Sequence, residues 1–193
     1  MTTKFSPPND MNGLVRIFVR DPHECTAMQL ADFKALILAG GEVIQEGLDD
    51  RIRSAVRLVF LSVGCCLSGI AALKRPLESY RRGVADKSGI ALSEEDYPFE
   101  LGWVFVMPSA RGRRFSLDLT SAAVAAASTS GVFATSRTDN AGMHATLARC
   151  GFLPAGKPYP SGRGKHQLQL FLRKTIETSP ADASAAERSG TTP

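Results

Sequence analysis

Three arginines crowd one bend of the chain. In "MPSARGRRFSLDLTSA", residues 107–122, Arg111, Arg113 and Arg114 surround Gly112 just before a helix-like run. The chemistry this could do is anion binding. The first turn of a helix carries N–H groups without intrahelical partners, and its dipole favours negative charge. Gly112 permits close backbone approach, and guanidinium groups can add charge-assisted hydrogen bonds to a phosphate. The same residues also read as a basic patch for nucleic acid, or as a solvated turn. Asn140 is explained by a helix N-cap. His144 lies on the helix after it, but Cys150, six positions on, points to a different face, so no Cys–His pair forms.

The elements that must position these residues can be read from periodicity and turn signals. "LVRIFVR" (14–20) is a strand stopped by Asp21-Pro22. "TAMQLADFKALILAGG" has helical spacing and ends at Gly40-Gly41, and "GLDDRIRSAV" is a shorter helix with Asp49 and Asp50 at its positive end. Strands at 57–63 and 66–73 flank Gly64 as an antiparallel pair. "LESYRRGVADKSGIALSEEDYP" holds a short helix before a loop. In "FELGWVFVMP" the alternation puts Phe99, Leu101, Trp103 and Phe105 on one face, and Glu100, Gly102, Val104 and Val106 on the other. Pro108 ends that strand. A helix follows with Phe115, Leu119, Ala122 and Ala126 on one stripe. Then come the strand "GVFATS", a helix from Asn140 to Gly151 with Met143, Leu147 and Cys150 inward, and the last strand "HQLQLFLRK". This order favours a mixed α/β or α+β sheet. Residues 1–174 make one domain. The tail 175–193, whose only residue from the set Leu, Ile, Val and Phe is Ile176, is expected to stay disordered.

Composition excludes several classes. With 193 residues, 44% hydrophobic and 22% charged, the chain suits an ordinary globular domain. A net charge of +4 suits an anionic ligand without demanding nucleic acid. Cys25, Cys65, Cys66 and Cys150 have no CxxC spacing, and His23, His144 and His166 complete no zinc pattern, so no metal is expected. Reduced thiols and the lack of a signal peptide in "MTTKFSPPNDMNG" point to the cytoplasm. The longest apolar stretch, 58–73, is interrupted by Gly64, Gly69 and two serines, so no membrane partner is expected.

"ELGWVFVMPSARGRRFS" followed by "GVFATSRTDNAGMHATLARCGF" resembles the GNAT superfamily of N-acetyltransferases, over roughly residues 98–157. "LVFLSVGCCLSGIAALKRP" falls where that family has its second and third strands. The family signature is Gln or Arg, two residues, Gly, one residue, then Gly or Ala. Arg111 fills the first place, Arg114 stands where Gly is usual, and Ser116 stands where Gly or Ala is usual. Asn140 and Gly151-Phe152 have the spacing of the second signature.

The resemblance implies a mixed, mostly antiparallel sheet with helices on both faces, its fourth strand (99–106) splayed from its fifth (131–136). It implies acetyl-CoA as co-substrate, with the pyrophosphate on the amides of Arg111, Gly112, Arg113, Arg114, Phe115 and Ser116. The pantetheine arm would pair with Val104, Phe105 and Val106, and Asn140 would contact the cofactor. The activity implied is direct acetyl transfer to a primary amine of a small molecule or peptide, with Glu100 as base and the Val106 amide as an oxyanion donor. The structural alternative for Glu100 is pairing with an arginine. Arg114 is expected in right-handed helical angles, where glycine is not obligatory, pointing outward to a phosphate. Where many members carry Tyr for the leaving thiolate this chain has Leu147; Tyr80 and Tyr159 are candidates without positional support. Glu42 falls in the acceptor region, or is a solvated loop residue. A non-catalytic acyl-CoA-binding relative stays open, as does a homodimer; a nucleic-acid-associated protein is the weaker alternative.

Overall fold

Thr26 starts the first long helix through a reciprocal cap: its hydroxyl accepts the Gln29 amide, and the Gln29 side chain accepts the Thr26 amide. The computed structural model describes residues 14–41, 43–162 and 164–175. Glu42, the amino-terminal segment and the 176–193 tail lie outside the described residues. The elements are β1 (Val15–Arg20), α1 (Ala27–Ala39), α2 (Leu48–Arg53), β2 (Arg57–Val63), β3 (Cys66–Lys74) and α3 (Glu78–Ser88). They continue with β4 (Phe99–Val106), α4 (Phe115–Ala125), β5 (Val132–Arg137), α5 (Ala141–Arg149), β6 (Leu153–Pro160) and β7 (Gln167–Arg173).

The strands form one sheet in the order β1-β2-β3-β4-β5-β7-β6. Every neighbouring pair is antiparallel except β4–β5. Alternation divides the core. Val59, Leu61, Leu73, Leu101 and Ala134 face α4 and α5, meeting Leu119, Ala123 and Leu147. On the other face Phe60 and Ile70 meet Phe33 and Ile37 of α1, and Phe133 and Leu170 meet Val84 of α3. Burying a side chain such as Phe60 or Phe133 contributes about 1.5–3 kcal/mol, so both helical layers are needed to cover this sheet.

The elements expected from sequence include no strand at 153–160, a segment whose Pro154, Pro158 and Pro160 cannot donate to a ladder. The structure places β6 there, at the sheet edge, where one side of the strand needs no partner.

The alternation expected along β4 fails in its middle. Ala72 pairs with Gly102 and Ile70 with Phe105, so two steps on β3 are matched by three on β4. Trp103 is the extra residue and takes φ 53°. This bulge returns Trp103 to the face of Glu100 and Gly102. Trp103 and Phe105 pack toward α1, while Val104 and Val106 join Leu101 toward α4. A bulge also bends its strand and raises its twist. Accordingly β4 and β5 pair only at Phe99↔Val132, Glu100↔Phe133 and Leu101↔Ala134. Beyond Leu101 and Ala134 the two strands part, as the fold expectation requires.

Candidate active site

The gap between the parted strands has polar backbone on its β4 side. The Met107 amide donates to Ser68 O of β3 at 2.9 Å. By antiparallel alternation the backbone groups of Val106 and Val104 then face the gap, while those of Phe105 face β3. Arg111 closes one of them: its Nε donates to Val106 O at 3.1 Å, and its guanidinium lies 5.9 Å from the Phe105 ring centroid. Of the three strand residues singled out from sequence, Val104 and Val106 offer backbone to the gap and Phe105 does not.

At the mouth of the gap the chain makes a single 3₁₀ turn, Pro108–Ala110, then the arginine bend. Arg111 spends its amide on Pro108 O at 3.3 Å. Gly112 is left-handed at φ 80°. Among the described residues, the amides of Gly112, Arg113, Arg114, Phe115 and Ser116 meet no acceptor; the first helical bonds come from Leu117 and Asp118 to Arg114 O. Five amides without an acceptor among the described residues thus lead into the start of α4, beside three exposed arginines. Buried Phe115 anchors the helix start, with the Arg113 guanidinium 4.8 Å from its ring. Ser116 Oγ lies 3.2 Å from Thr146 Oγ1, tying α4 to α5.

Arg114 corrects the sequence reading. Its angles are φ 62°, ψ 14°, left-handed rather than right-handed. That conformation is why a glycine is usual at this place in the signature, and an L-residue there is strained by about 1–2 kcal/mol. Arg114→Gly is expected to hold or slightly raise the melting temperature, because strain relief offsets the added chain entropy. Arg114→Val is expected to lose about 1–3 kcal/mol. Thermal unfolding followed by circular dichroism reads both.

The apex of the gap is polar and buried. Glu100, 6% exposed, receives the Lys74 ammonium at 2.8 Å on Oε2 and the Tyr80 hydroxyl at 3.1 Å on Oε1. The strand-entrance partner is thus a lysine and not an arginine. Lys74 Nζ also sits 4.9 Å from the Trp103 ring centroid. Tyr159 of β6 brings a buried hydroxyl that has no hydrogen-bond partner among the described residues. Burial first, then the Glu100 charge, pushes Tyr80 well above the phenol range, against a smaller lowering by a Thr135 hydrogen bond. The same two causes push Tyr159 up to about 12. Both phenols keep their protons at neutral pH and can only donate or share them.

Sequence reasoning missed Lys74, and it gave no position to either tyrosine. Lys74 faces Glu100 only through the β3–β4 register, which no local pattern reveals. Tyr80 and Tyr159 reach the apex from α3 and β6, the second of these a strand hidden by its prolines. Leu147 is wholly buried in the apolar core. His144 turns away: its Nε2 lies 2.9 Å from Arg137 O and its ring packs on Phe171. Asn140 Oδ1 accepts the Met143 amide at 3.1 Å, the N-cap the sequence called for. Among the described residues, no group of three or more His, Cys, Asp or Glu side chains could hold a metal, and no helix is long and apolar enough to cross a membrane.

No family model and no curated protein matches this sequence. Solved structures do match in shape. An acyl-CoA N-acyltransferase from Pseudomonas aeruginosa is 15% identical with a TM-score of 0.61, over 83% of this chain and 99% of that one. Escherichia coli ElaA is 15% identical with a TM-score of 0.60, over 82% and 99%. The putative acetyltransferase yncA from Salmonella typhimurium, solved with its cofactor acetyl-CoA, is 15% identical with a TM-score of 0.58, over 88% and 98%. The chain has the GNAT fold.

Proposed function

We propose that this protein is an N-acetyltransferase that moves an acetyl group from acetyl-CoA to a primary amine by direct attack within a ternary complex. The observation that carries the reading is the open β4 edge beyond Leu101, which leads outward to five amides without acceptors among the described residues. Unpaired amides at a helix start, flanked by Arg111, Arg113 and Arg114, fit a diphosphate in donor type and charge. Val104 and Val106 fit an amide-bearing arm laid along the strand. Bound there, acetyl-CoA would supply a thioester carbonyl.

In this reading Glu100 takes the proton that the acceptor ammonium must lose before attack. Of the two amides turned into the gap, that of Val104, nearer the apex, is the donor for charge developing on the carbonyl oxygen. The Val106 amide, at the mouth, is too far from Glu100 to act on the same carbonyl. Tyr80 and Tyr159 hold protons beside Glu100 and keep the apex polar, while the thiolate leaves without help from position 147. A thiol of pKa about 8.5 is a tolerable leaving group.

Thermal shift with acetyl-CoA, then thiol release across an amine panel, tests this. Stabilisation approaching about 2.7 kcal/mol at a hundredfold excess over Kd is expected, with release that depends on the amine. No stabilisation at millimolar acetyl-CoA overturns the reading. One observation favours a non-catalytic binder instead: Glu100 is already engaged by Lys74. Binding without amine-dependent release would select it.

Arg111→Ala should raise the KM for acetyl-CoA about tenfold with kcat nearly unchanged, since a charge-assisted contact is lost from ground and transition states alike. Steady-state kinetics with acetyl-CoA varied reads this. A fall in kcat at constant KM would contradict it.

A further inference from the structure

The carboxylate assigned to the acceptor amine already holds a primary amine of its own chain. Lys74 Nζ lies 2.8 Å from Glu100 Oε2. Three neighbouring features of β4 seat it. Glu100 supplies the counter-charge, and the Trp103 ring, presented by its left-handed backbone, lies 4.9 Å below the ammonium. Gly102 leaves room for the lysine to pass: a Cβ there would stand 2.5 Å from Cε and 2.7 Å from Nζ. Gly102 is also the first β4 residue without a β5 partner, so the amine rests over the point where the strands part. Four residues of strand, about 13 Å, separate that point from Val106 at the mouth.

We propose that Lys74 is an acyl acceptor, modified on Nζ by a thioester drawn into the gap. The proposal rests on the acyl-CoA reading above and names an acceptor for it within the protein. Nζ gives one proton to Glu100, its lone pair forms the C–N bond to the acyl carbon, and the C–S bond breaks. The second Nζ proton goes to the departing thiolate. The net change is ammonium plus thioester to amide, thiol and one proton, with no oxidant or metal. The groups facing Nζ are Glu100, Trp103 and, through Glu100, Tyr80 and Tyr159.

Exposure predicts the opposite outcome. The Lys74 side chain is 19% exposed, whereas Lys87, Lys157, Lys165 and Lys174 are exposed and Lys34 is half-buried. A thioester reacting from bulk solvent would modify those before Lys74.

The experiment incubates the full chain with acetyl-CoA without added amine, and follows intact mass and the acetyl occupancy of each lysine by peptide mapping. A parallel sample is unfolded in urea, and acetyl-CoA binding is measured separately by calorimetry. The expected result is a single early +42 Da species, with Lys74 acetylated at least about tenfold faster than any other lysine, and no such lead in urea. Glu100→Gln should slow that step about a hundredfold. Lys74→Arg, whose guanidinium stays charged, should abolish the early species. Acetyl-CoA binding with Lys74 no faster than the exposed lysines overturns the proposal while leaving the acyl-CoA reading standing. Absence of binding overturns both.

Discussion

Glu100→Gln is expected to lower kcat for amine acetylation by about 10²-fold or more, with little change in the KM for acetyl-CoA. Glutamine keeps the shape of the side chain and an oxygen that can still accept from Tyr80 and Lys74. What it removes is the site that can take a proton. The amides at 112–116, which lie beyond the other end of β4, are untouched, so ground-state binding of the co-substrate should persist.

The same change leaves the Lys74 ammonium without its counter-charge, and stability will fall by up to about 3–5 kcal/mol. Lys74 is not fully buried and the amide oxygen remains, so the lower end is expected. A second variant separates the two effects. Combining Lys74→Met with Glu100→Gln removes both charges, and stability should return toward that of the parent. The catalytic loss should not return. Recovery of kcat in the double variant, or a kcat within threefold of the parent in the single one, would reduce Glu100 to a structural ion-pair partner.

The bend at 111–116 was legible in sequence because its signals are local: a proline, a glycine, clustered charge and a helical stripe, all within sixteen residues. The strand before it was legible only in outline. Its alternation ran smoothly through Trp103, and nothing local marks a bulge when the bulged residue is not glycine. The register with β3 forces the extra residue, and register is a long-range property. The apex was less legible still. Glu100 could be named from the strand it sits on, but its partners come from β3, α3 and β6. Lys74 is twenty-six positions away in sequence, and Tyr159 sits on a strand whose three prolines argue against a strand at all. Arg114 carried the clearest signal that misled. A basic residue replacing glycine reads as added charge, while the backbone it must adopt is visible only once the helix start has been built.

Gly131→Ala is expected to destabilise the protein by about 3 kcal/mol or more, lowering the melting temperature by about 6–12 °C for a chain of this size. A Cβ at Gly131 would stand 1.9 Å from Asp96 O and 3.0 Å from Asp96 C. Those are backbone atoms, so no rotamer change can relieve the clash. The 93–98 loop cannot retreat freely, because Arg81, 5% exposed, donates to the carbonyls of Ser93, Tyr97 and Pro98. The strand start must therefore move instead. It immediately precedes Val132, the first of the three residues that pair β5 with β4. Those three pairs, at Phe99, Glu100 and Leu101, close the inner end of the gap, so acetyl-CoA affinity should fall along with stability. Gly83→Ala is the counter-test: it lies inside α3 with nothing within 4 Å of an added Cβ, and should gain about 0.5–1 kcal/mol from helix propensity. Two glycine-to-alanine changes moving stability in opposite directions would locate the constraint at the closed end of the gap. Equal and small effects at both would mean that the three-residue closure is not what holds the strands at their point of divergence.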